Sequence, residues 1–357
     1  MSPERCLIGG DFDLSFEELD FHRTPKKLFF HEDGTWTLSG RAALVLVLEY
    51  LKAQGVRHVH LPAYLCQSLL LAVQAAGFHY SFYPVGGNLC AYPDPPPGSA
   101  VLVIHYFGWL NAATTALRQE SRRSLSLIED ASQSMLSDWH TSSEIPRFVI
   151  LSPRKFGPLP FGGWCNLVAE TSKPLHETEG LWWRSIAARL TKSIYLAQPH
   201  ASINPLIETF YLAAFEAVEA YLDNHPADSG IPQMIHDMMT GLDWVEIGRR
   251  RRSNWRILKV LLEDKIEMIY SDLPNDVVPL GFVIRLANRD MVRCRLAEQR
   301  IFCPVHWQLP SDISPKSFPE AAKLSKTILT LPIDQRYDEH DMARIADTLI
   351  KIVQYGN

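Results

Sequence analysis

A chain of 357 residues with a net charge of −5, 46% hydrophobic and 21% charged, is too long for one ordinary core and suits about two domains of roughly 150 residues each. The composition excludes disordered and collagen-like classes. The acidic balance gives no general attraction to nucleic acid or to an anionic membrane surface.

Residues Met1 to Asp20 lack the basic start and apolar stretch of a signal peptide. No apolar run approaches the roughly 20 residues needed to cross a bilayer, so a cytoplasmic protein is expected. Cys6, Cys66, Cys90, Cys165, Cys294 and Cys303 are scattered, with no C-x-x-C pair and no histidine spacing typical of zinc. They read as reduced thiols, and no metal is expected.

From Ser39 to about Val168 helical and strand signals alternate. Ala42 to Leu51 is apolar at helical spacing and ends at Gly55, and His58 to Leu61 is a short strand stopped by Pro62. Leu69 to Ala76 is helical, Tyr80 to Tyr83 extended, and Ala100 to His105 a buried strand after the proline cluster Pro93 to Pro97. A helix over Asn111 to Glu120 follows, then strands at Leu125 to Ile128, Phe148 to Leu151 and Trp164 to Val168. This order predicts an α/β large domain in three layers, a mostly parallel sheet covered by helices on both faces. Ligands of such sheets sit beyond the carboxyl ends of the strands.

Glu179 to Asp223 is largely helical with a break near Pro199 to Pro205. Asp243 to Glu263 is a long amphipathic helix that links two lobes. Beyond it come a strand (Phe282 to Leu286), a helix (Asp290 to Glu298), an extended stretch (Ile301 to Val305), a strand (Ile328 to Leu331) and a closing helix (Glu339 to Val353). The expected division is a large domain over residues 1–240, N-terminal segment included, and a small C-terminal α+β domain over 241–357.

Three segments can carry chemistry. Ser152-Pro153-Arg154-Lys155, followed by Gly157 and Gly162-Gly163, sets a lysine in a Gly/Pro-rich loop just after a strand. Such an amine can form an imine with an aldehyde cofactor if its surroundings lower its pKa, although a surface lysine in a turn has the same spacing. Leu127 to Gln133 ends a strand in Glu129-Asp130. Asp130 could pair with a protonated pyridine nitrogen or simply cap the next helix. Ser39-Gly40-Arg41-Ala42-Ala43 opens a helix whose free amides suit a phosphate dianion, and Ser39 could equally be a plain N-cap.

Taken together, order and spacing resemble the DegT/DnrJ/EryC1/StrS aminotransferases. The shared landmarks are Ser39-Gly40-Arg41-Ala42-Ala43, His60-Leu61-Pro62-Ala63-Tyr64, His105-Tyr106-Phe107-Gly108, Glu129-Asp130-Ala131-Ser132-Gln133 and Lys155 to Gly162-Gly163. Downstream, Arg249-Arg250-Arg251, Arg289-Asp290 and Cys303-Pro304-Val305-His306-Trp307 extend the likeness to roughly residues 36 to 350.

The resemblance implies a pyridoxal-phosphate enzyme of the aspartate-aminotransferase fold (fold type I). It places a Schiff base on Lys155, Asp130 at the pyridine nitrogen, Gln133 near the ring hydroxyl, and Gly40, Arg41 and Ser152 at the phosphate. Lys155 would also shuttle the proton between the substrate and the cofactor. The implied reaction passes an amino group from an amino-acid donor to a keto-sugar acceptor, possibly nucleotide-linked, in a homodimer whose N-terminal segment packs on the small lobe or the partner. Cys66 stands where the family has a ring over the cofactor, so Tyr64 becomes the candidate for stacking. Ser152 lies nearer to Lys155 than is usual, and the asparagine loop that reaches a neighbour's phosphate is not found. Alternatives are another pyridoxal-phosphate reaction on an amino acid and a catalytically idle relative in a regulatory or assembly role.

Other residues weigh less. His306 is a candidate substrate contact and Arg285 a candidate carboxylate partner. His58 and His60 alternate on a strand without a third metal ligand. Arg249 to Arg252 read as a solvated helix, since four consecutive residues spread around its circumference, and Trp182 and Trp183 suit packing or a subunit contact.

Overall fold

The computed structural model describes residues 7–14, 33–91, 93–120, 124–138, 143–168, 179–198, 205–227 and 230–355; Cys6 and most of the N-terminal segment lie outside them. The elements in chain order are β1 (Ile8–Gly9), β2 (Thr35–Thr37), α1 (Gly40–Ala53), β3 (His58–Pro62), α2 (Gln67–Ala75), β4 (His79–Tyr83), β5 (Ala100–Ile104), α3 (Ala113–Arg118), β6 (Ser126–Asp130), β7 (Arg147–Leu151) and β8 (Gly163–Cys165). Then follow α4 (Glu179–Ala197), α5 (Pro205–Asn224), α6 (Gln233–Gly241), α7 (Trp244–Leu262), β9 (Phe282–Arg285), α8 (Arg289–Glu298), β10 (Ile301–Phe302), α9 (Pro319–Thr327), β11 (Ile328–Leu331) and α10 (Glu339–Tyr355).

Seven strands form one sheet in the order β2-β8-β7-β6-β5-β3-β4. The pairs from β7 through β4 are parallel, and β8 joins β7 and β2 antiparallel at one edge. All five residues of β5 are buried, as an apolar run covered on both faces requires. A second core cluster gathers Trp255 and Leu258 of α7, Phe282 and Ile284 of β9, and Leu329 and Leu331 of β11, with Ile8 among them. Strand β1 pairs in parallel with β10, Ile8 opposite Ile301, so β1 packs on the C-terminal lobe, while Leu14 joins a buried cluster with Ala131, Met135 and Ile186. No helix among the described residues is long and apolar enough to cross a membrane.

The arginine run on α7 departs from expectation at one position. Arg249 and Arg250 are exposed on Glu246, but Arg251 is only 1% exposed. Its guanidinium lies 4.8 Å over the Phe156 ring and donates to the carbonyls of Leu280 and Phe156. A flat, weakly hydrated cation can be buried where its donors meet carbonyls and an aromatic face.

Behind the carboxyl end of β6 stands a fully buried carboxylate. Glu129 accepts from Arg118 at 2.8 and 2.7 Å, from Arg147 at 2.7 and 3.1 Å and from His105 Nε2 at 2.9 Å. His105 Nδ1 in turn accepts from the Asn111 amide at 3.1 Å, which leaves the ring proton on Nε2, pointing at Glu129. Burial alone would favour the protonated acid, but these three partners outweigh it and hold the carboxyl well below the usual range. A depressed carboxyl stabilises the fold above the ordinary carboxylate range, and that contribution is lost as pH falls. Glu129→Gln should therefore cost about 3–5 kcal/mol at neutral pH, because two arginines are left facing a neutral amide. Urea unfolding midpoints would show it, and the gap between variant and parent should narrow in acid.

Candidate active site

Asp130 ends β6, Ser152 follows β7 directly, and α1 and α2 begin at the same edge of the sheet. Between them lies a cavity of about 200 Å³. The entry to α1 is shaped for close approach. Ser39 Oγ accepts from the Ala42 amide at 3.3 Å, which caps the helix. A Cβ on Gly163 would stand 2.1 Å from the Ser39 carbonyl oxygen, so the second glycine of the Gly162-Gly163 pair lets β8 pass beneath that cap. A Cβ on Gly40 would project to 3.4 Å from Ser132 Oγ and 3.6 Å from the Ser152 Cβ. Backbone amide and two hydroxyl side chains thus converge on one spot at a helix N-terminus, the arrangement that receives an anion.

Two arginines flank it. Arg41 Nη2 donates to Ser68 Oγ at 2.9 Å, while its Nη1 is buried with no partner among the described residues. Arg154 lines the cavity from the lysine loop.

At the other end stand Asp130 and Lys155. Asp130 Oδ1 accepts from the Ser132 amide at 2.9 Å, which aims the carboxylate. The Lys155 amine makes no hydrogen bond or ion pair among the described residues. Burial pulls its pKa down, opposed by the charges of Asp130 and Cys66 and aided by Arg154 and Arg41. The loop that carries it is tied down one residue later, where the Phe156 carbonyl accepts from Gln335 Nε2 at 2.8 Å and from Arg251 at 3.4 Å.

Lys155 and Arg154 also line a second, larger chamber of about 690 Å³. His306 forms part of its wall, with Nδ1 2.9 Å from Thr330 Oγ1 and its ring 5.3 Å from Phe107, edge to face. Burial, with a smaller push from the Lys155 charge, takes the imidazole pKa down to about 3, so His306 is neutral at physiological pH.

Of the residues singled out in the sequence, Gly40, Arg41, Asp130, Ser152 and Lys155 line the smaller cavity together. Gln133 stands behind it, its Oε1 accepting from the Phe107 amide at 2.9 Å and its Nε2 buried without a partner. Tyr64 departs from expectation. It lies 5.6 Å from Trp307 and 5.8 Å from Tyr106 in an aromatic cluster, and Trp307, not Tyr64, faces the cavity beside Cys66. The turn after Pro62 sends Tyr64 into the core, 1% exposed, while the loop after β10 brings Trp307 over the opening.

Arg285 pairs with Glu267 at 2.6 Å and lines neither cavity. His60 Nδ1 lies 2.8 Å from Ser81 Oγ, and no three His, Cys, Asp or Glu side chains among the described residues converge as metal ligands would. Ser68, Ser132, Arg154, Trp307 and the acids of α5 were not foreseen. Ser132 sits two residues from Asp130 and Trp307 next to His306, so both were within reach of the motifs.

The residues present fit pyridoxal phosphate. The α1 terminus, the serines and the free Arg41 Nη1 suit a dianion. Asp130 suits a protonated ring nitrogen, the orphaned Gln133 Nε2 suits a ring oxygen, and the unbonded Lys155 amine suits a carbonyl carbon.

No protein-family profile matches the chain, and no curated protein matches it in sequence. Solved structures do match in shape. A DegT DnrJ EryC1 StrS aminotransferase from Brucella abortus superposes with a TM-score of 0.56 at 16% identity, over 89% of this chain and 85% of that one. The sugar aminotransferase CalS13 from Micromonospora echinospora gives 0.59 at 16% identity, over 89% and 87%. Spr1654 from Streptococcus pneumoniae in its PLP form gives 0.57 at 12% identity, over 89% and 86%. The chain therefore has the fold of these aminotransferases.

Proposed function

We propose that this chain is a pyridoxal-phosphate-dependent aminotransferase that moves an amino group from an amino-acid donor to a keto-sugar, nucleotide-linked or free. The observation that carries the reading is the position of Lys155. Its desolvated, unbonded amine lies where a cavity with an anion cradle and a carboxylate meets a larger open chamber. The names of the structures with the same fold, a sugar aminotransferase and a PLP form among them, supply the reaction class.

Bound pyridoxal phosphate supplies a carbonyl that accepts and returns an amino group and a ring that takes up electrons from the substrate carbon. The protein's own side chains do the rest. Asp130 would hold a proton at the ring nitrogen, a charge-assisted bond strengthened in a low-dielectric site. Lys155, its pKa lowered by burial, would hold the cofactor's carbonyl carbon and, when free, would carry a proton to and from the substrate carbon. Trp307 covers the cavity against water. The 690 Å³ chamber is in the range of sites for extended small molecules, which favours an acceptor larger than an amino acid. A homodimer belongs to the same reading, supported by the large apolar side chains that α4 and α5 leave exposed, Trp183, Ile194, Leu206 and Phe210 among them.

Adding pyridoxal phosphate should give a visible absorption band that Lys155→Ala abolishes, and a panel of amino donors should bleach it in a half-reaction. A protein that stays colourless, or a band that survives in Lys155→Ala, would end this reading.

His306 yields a second test. Since its pKa lies near 3, it stays neutral from mildly acidic to alkaline pH and takes up a proton only in strong acid. His306→Gln should lower kcat/KM while leaving any acid limb at about pH 6–7 in place; loss of that limb in the variant would show that His306 titrates there.

A further inference from the structure

We propose that Glu219 and Asp223, on α5, are positioning residues that orient Arg41 and Arg154 to receive a phosphate at the N-terminus of α1. The phosphate end of the site is then completed by a helix of the same chain. The inference rests on the cofactor assignment above only for the identity of the phosphate's carrier.

The two acids are four residues apart, one helical turn, and so share a face of α5. That helix is anchored beside the site, because Val218 and Leu222 pack with Leu38 and Phe161 in one buried cluster, and Leu38 directly precedes the Ser39 cap. Glu219 Oε2 accepts from Arg41 Nη2 at 3.1 Å and from Arg154 Nη2 at 3.2 Å, and Glu219 Oε1 accepts from Arg154 Nη1. Asp223 Oδ1 lies 2.9 Å from Arg41 Nε. A single carboxylate therefore joins two cations that arrive from α1 and from the lysine loop. Ser68 is also on Nη2; Nε has the charge of Asp223 beside it but no aligned hydrogen bond, and Nη1 is buried with neither, left to face a ligand.

A carboxylate beside a phosphate site could instead repel the phosphate, and geometry decides between the two effects. The Arg41 side chain is 10% exposed, whereas those of Glu219 and Asp223 are 43% and 41% exposed. Neither acid lines the cavity in which Gly40, Ser132 and Ser152 converge. Glu219 lines the larger chamber with Arg154 instead, and the partial exposure of both acids lets water and salt screen much of their charge from a ligand in the smaller cavity. The gain from fixing a long, buried guanidinium in one orientation is not screened in this way. Burial would raise the Glu219 carboxyl, but Arg154 and Arg41 overcome that and lower its pKa to about 2, so Glu219 is charged at every working pH.

The test compares pyridoxal phosphate with pyridoxal, the same aldehyde without the phosphate, by absorbance titration of wild type, Glu219→Gln and Asp223→Asn, with calorimetry of inorganic phosphate binding to the cofactor-free proteins. Glu219→Gln is expected to weaken pyridoxal phosphate and inorganic phosphate by about tenfold to a hundredfold, the worth of one or two charge-assisted hydrogen bonds. Pyridoxal should be unchanged, and Asp223→Asn, which touches Arg41 alone, should fall between. Equal losses for both aldehydes would mean a merely structural role, and unchanged or tighter phosphate binding would mean that the acids do not orient the cradle; either result overturns the proposal. Should wild type form a Lys155-dependent band with neither aldehyde, the aminotransferase reading falls, and the inorganic phosphate arm still decides the role of Glu219. If Glu219→Gln does not fold, Asp223→Asn carries the comparison.

Discussion

Strand β6 ends in two neighbouring carboxylates that its pleat sends to opposite faces, and that alternation determines where chemistry can occur. Glu129 goes inward to His105, Arg118 and Arg147. With one acid locked in a triply partnered pocket, the other can only face the cavity. The register of the sheet does the rest, since Asp130 pairs with Ile150 of β7 and the chain leaving β7 must deliver Ser152 and Lys155 to the same edge. A one-residue slip of β6 would turn each carboxylate to the opposite face and take Asp130 away from the cavity, so the structural ion cluster also acts as the register pin for the site.

The two sites of buried charge have opposite energetics. Glu129 is buried and saturated with donors, and its charged form prevails. Lys155 is desolvated with Asp130 as its main counter-charge and no hydrogen bond of its own, so desolvation prevails and its pKa is lowered. A saturated buried charge makes a scaffold; an unsaturated one keeps a reactive group available. The surroundings of Lys155 are accordingly rigid, with the Phe156 carbonyl held by Gln335 and Arg251, while its terminal nitrogen is left unengaged.

Much of this was legible in the sequence where a signal was local. The all-apolar run of β5, the Ser39 cap and the Asp130 and Lys155 positions follow from periodicity, capping chemistry and strand-end placement, and the structure brings Gly40, Arg41, Asp130, Ser152 and Lys155 to one cavity. The short strands β1 and β2 carry too few residues for a periodic pattern to stand out. Arg251 looks like its neighbours in sequence and is buried because of Phe156, a partner far away along the chain. The exchange of Tyr64 for Trp307 has the same origin. Both are aromatic residues beside a proline-containing landmark, and only the three-dimensional path of the loop after β10 decides which ring reaches the opening.

The α5 acids mark the limit of such reading more sharply. On a helix that also carries Glu208 and Glu216, Glu219 and Asp223 look like more of a solvated face, and their exposure of about four-tenths agrees with that. What distinguishes them is on the other side of the contact, where two cations with little other hydration are aimed at a converging set of serines and a helix terminus. An anion site built this way does not depend on the net charge of its surroundings. Arg41, Arg154 and Lys155 are balanced locally by Asp130, Glu219 and Asp223, so the attraction for a dianion comes from the direction of donors and the α1 dipole. Preorganised donors cost nothing to arrange when the ligand arrives, whereas an excess of loose positive charge would bind any anion equally well. A site of this kind discriminates by geometry between a phosphate seated at the end of a planar ring and the many other anions a cell offers.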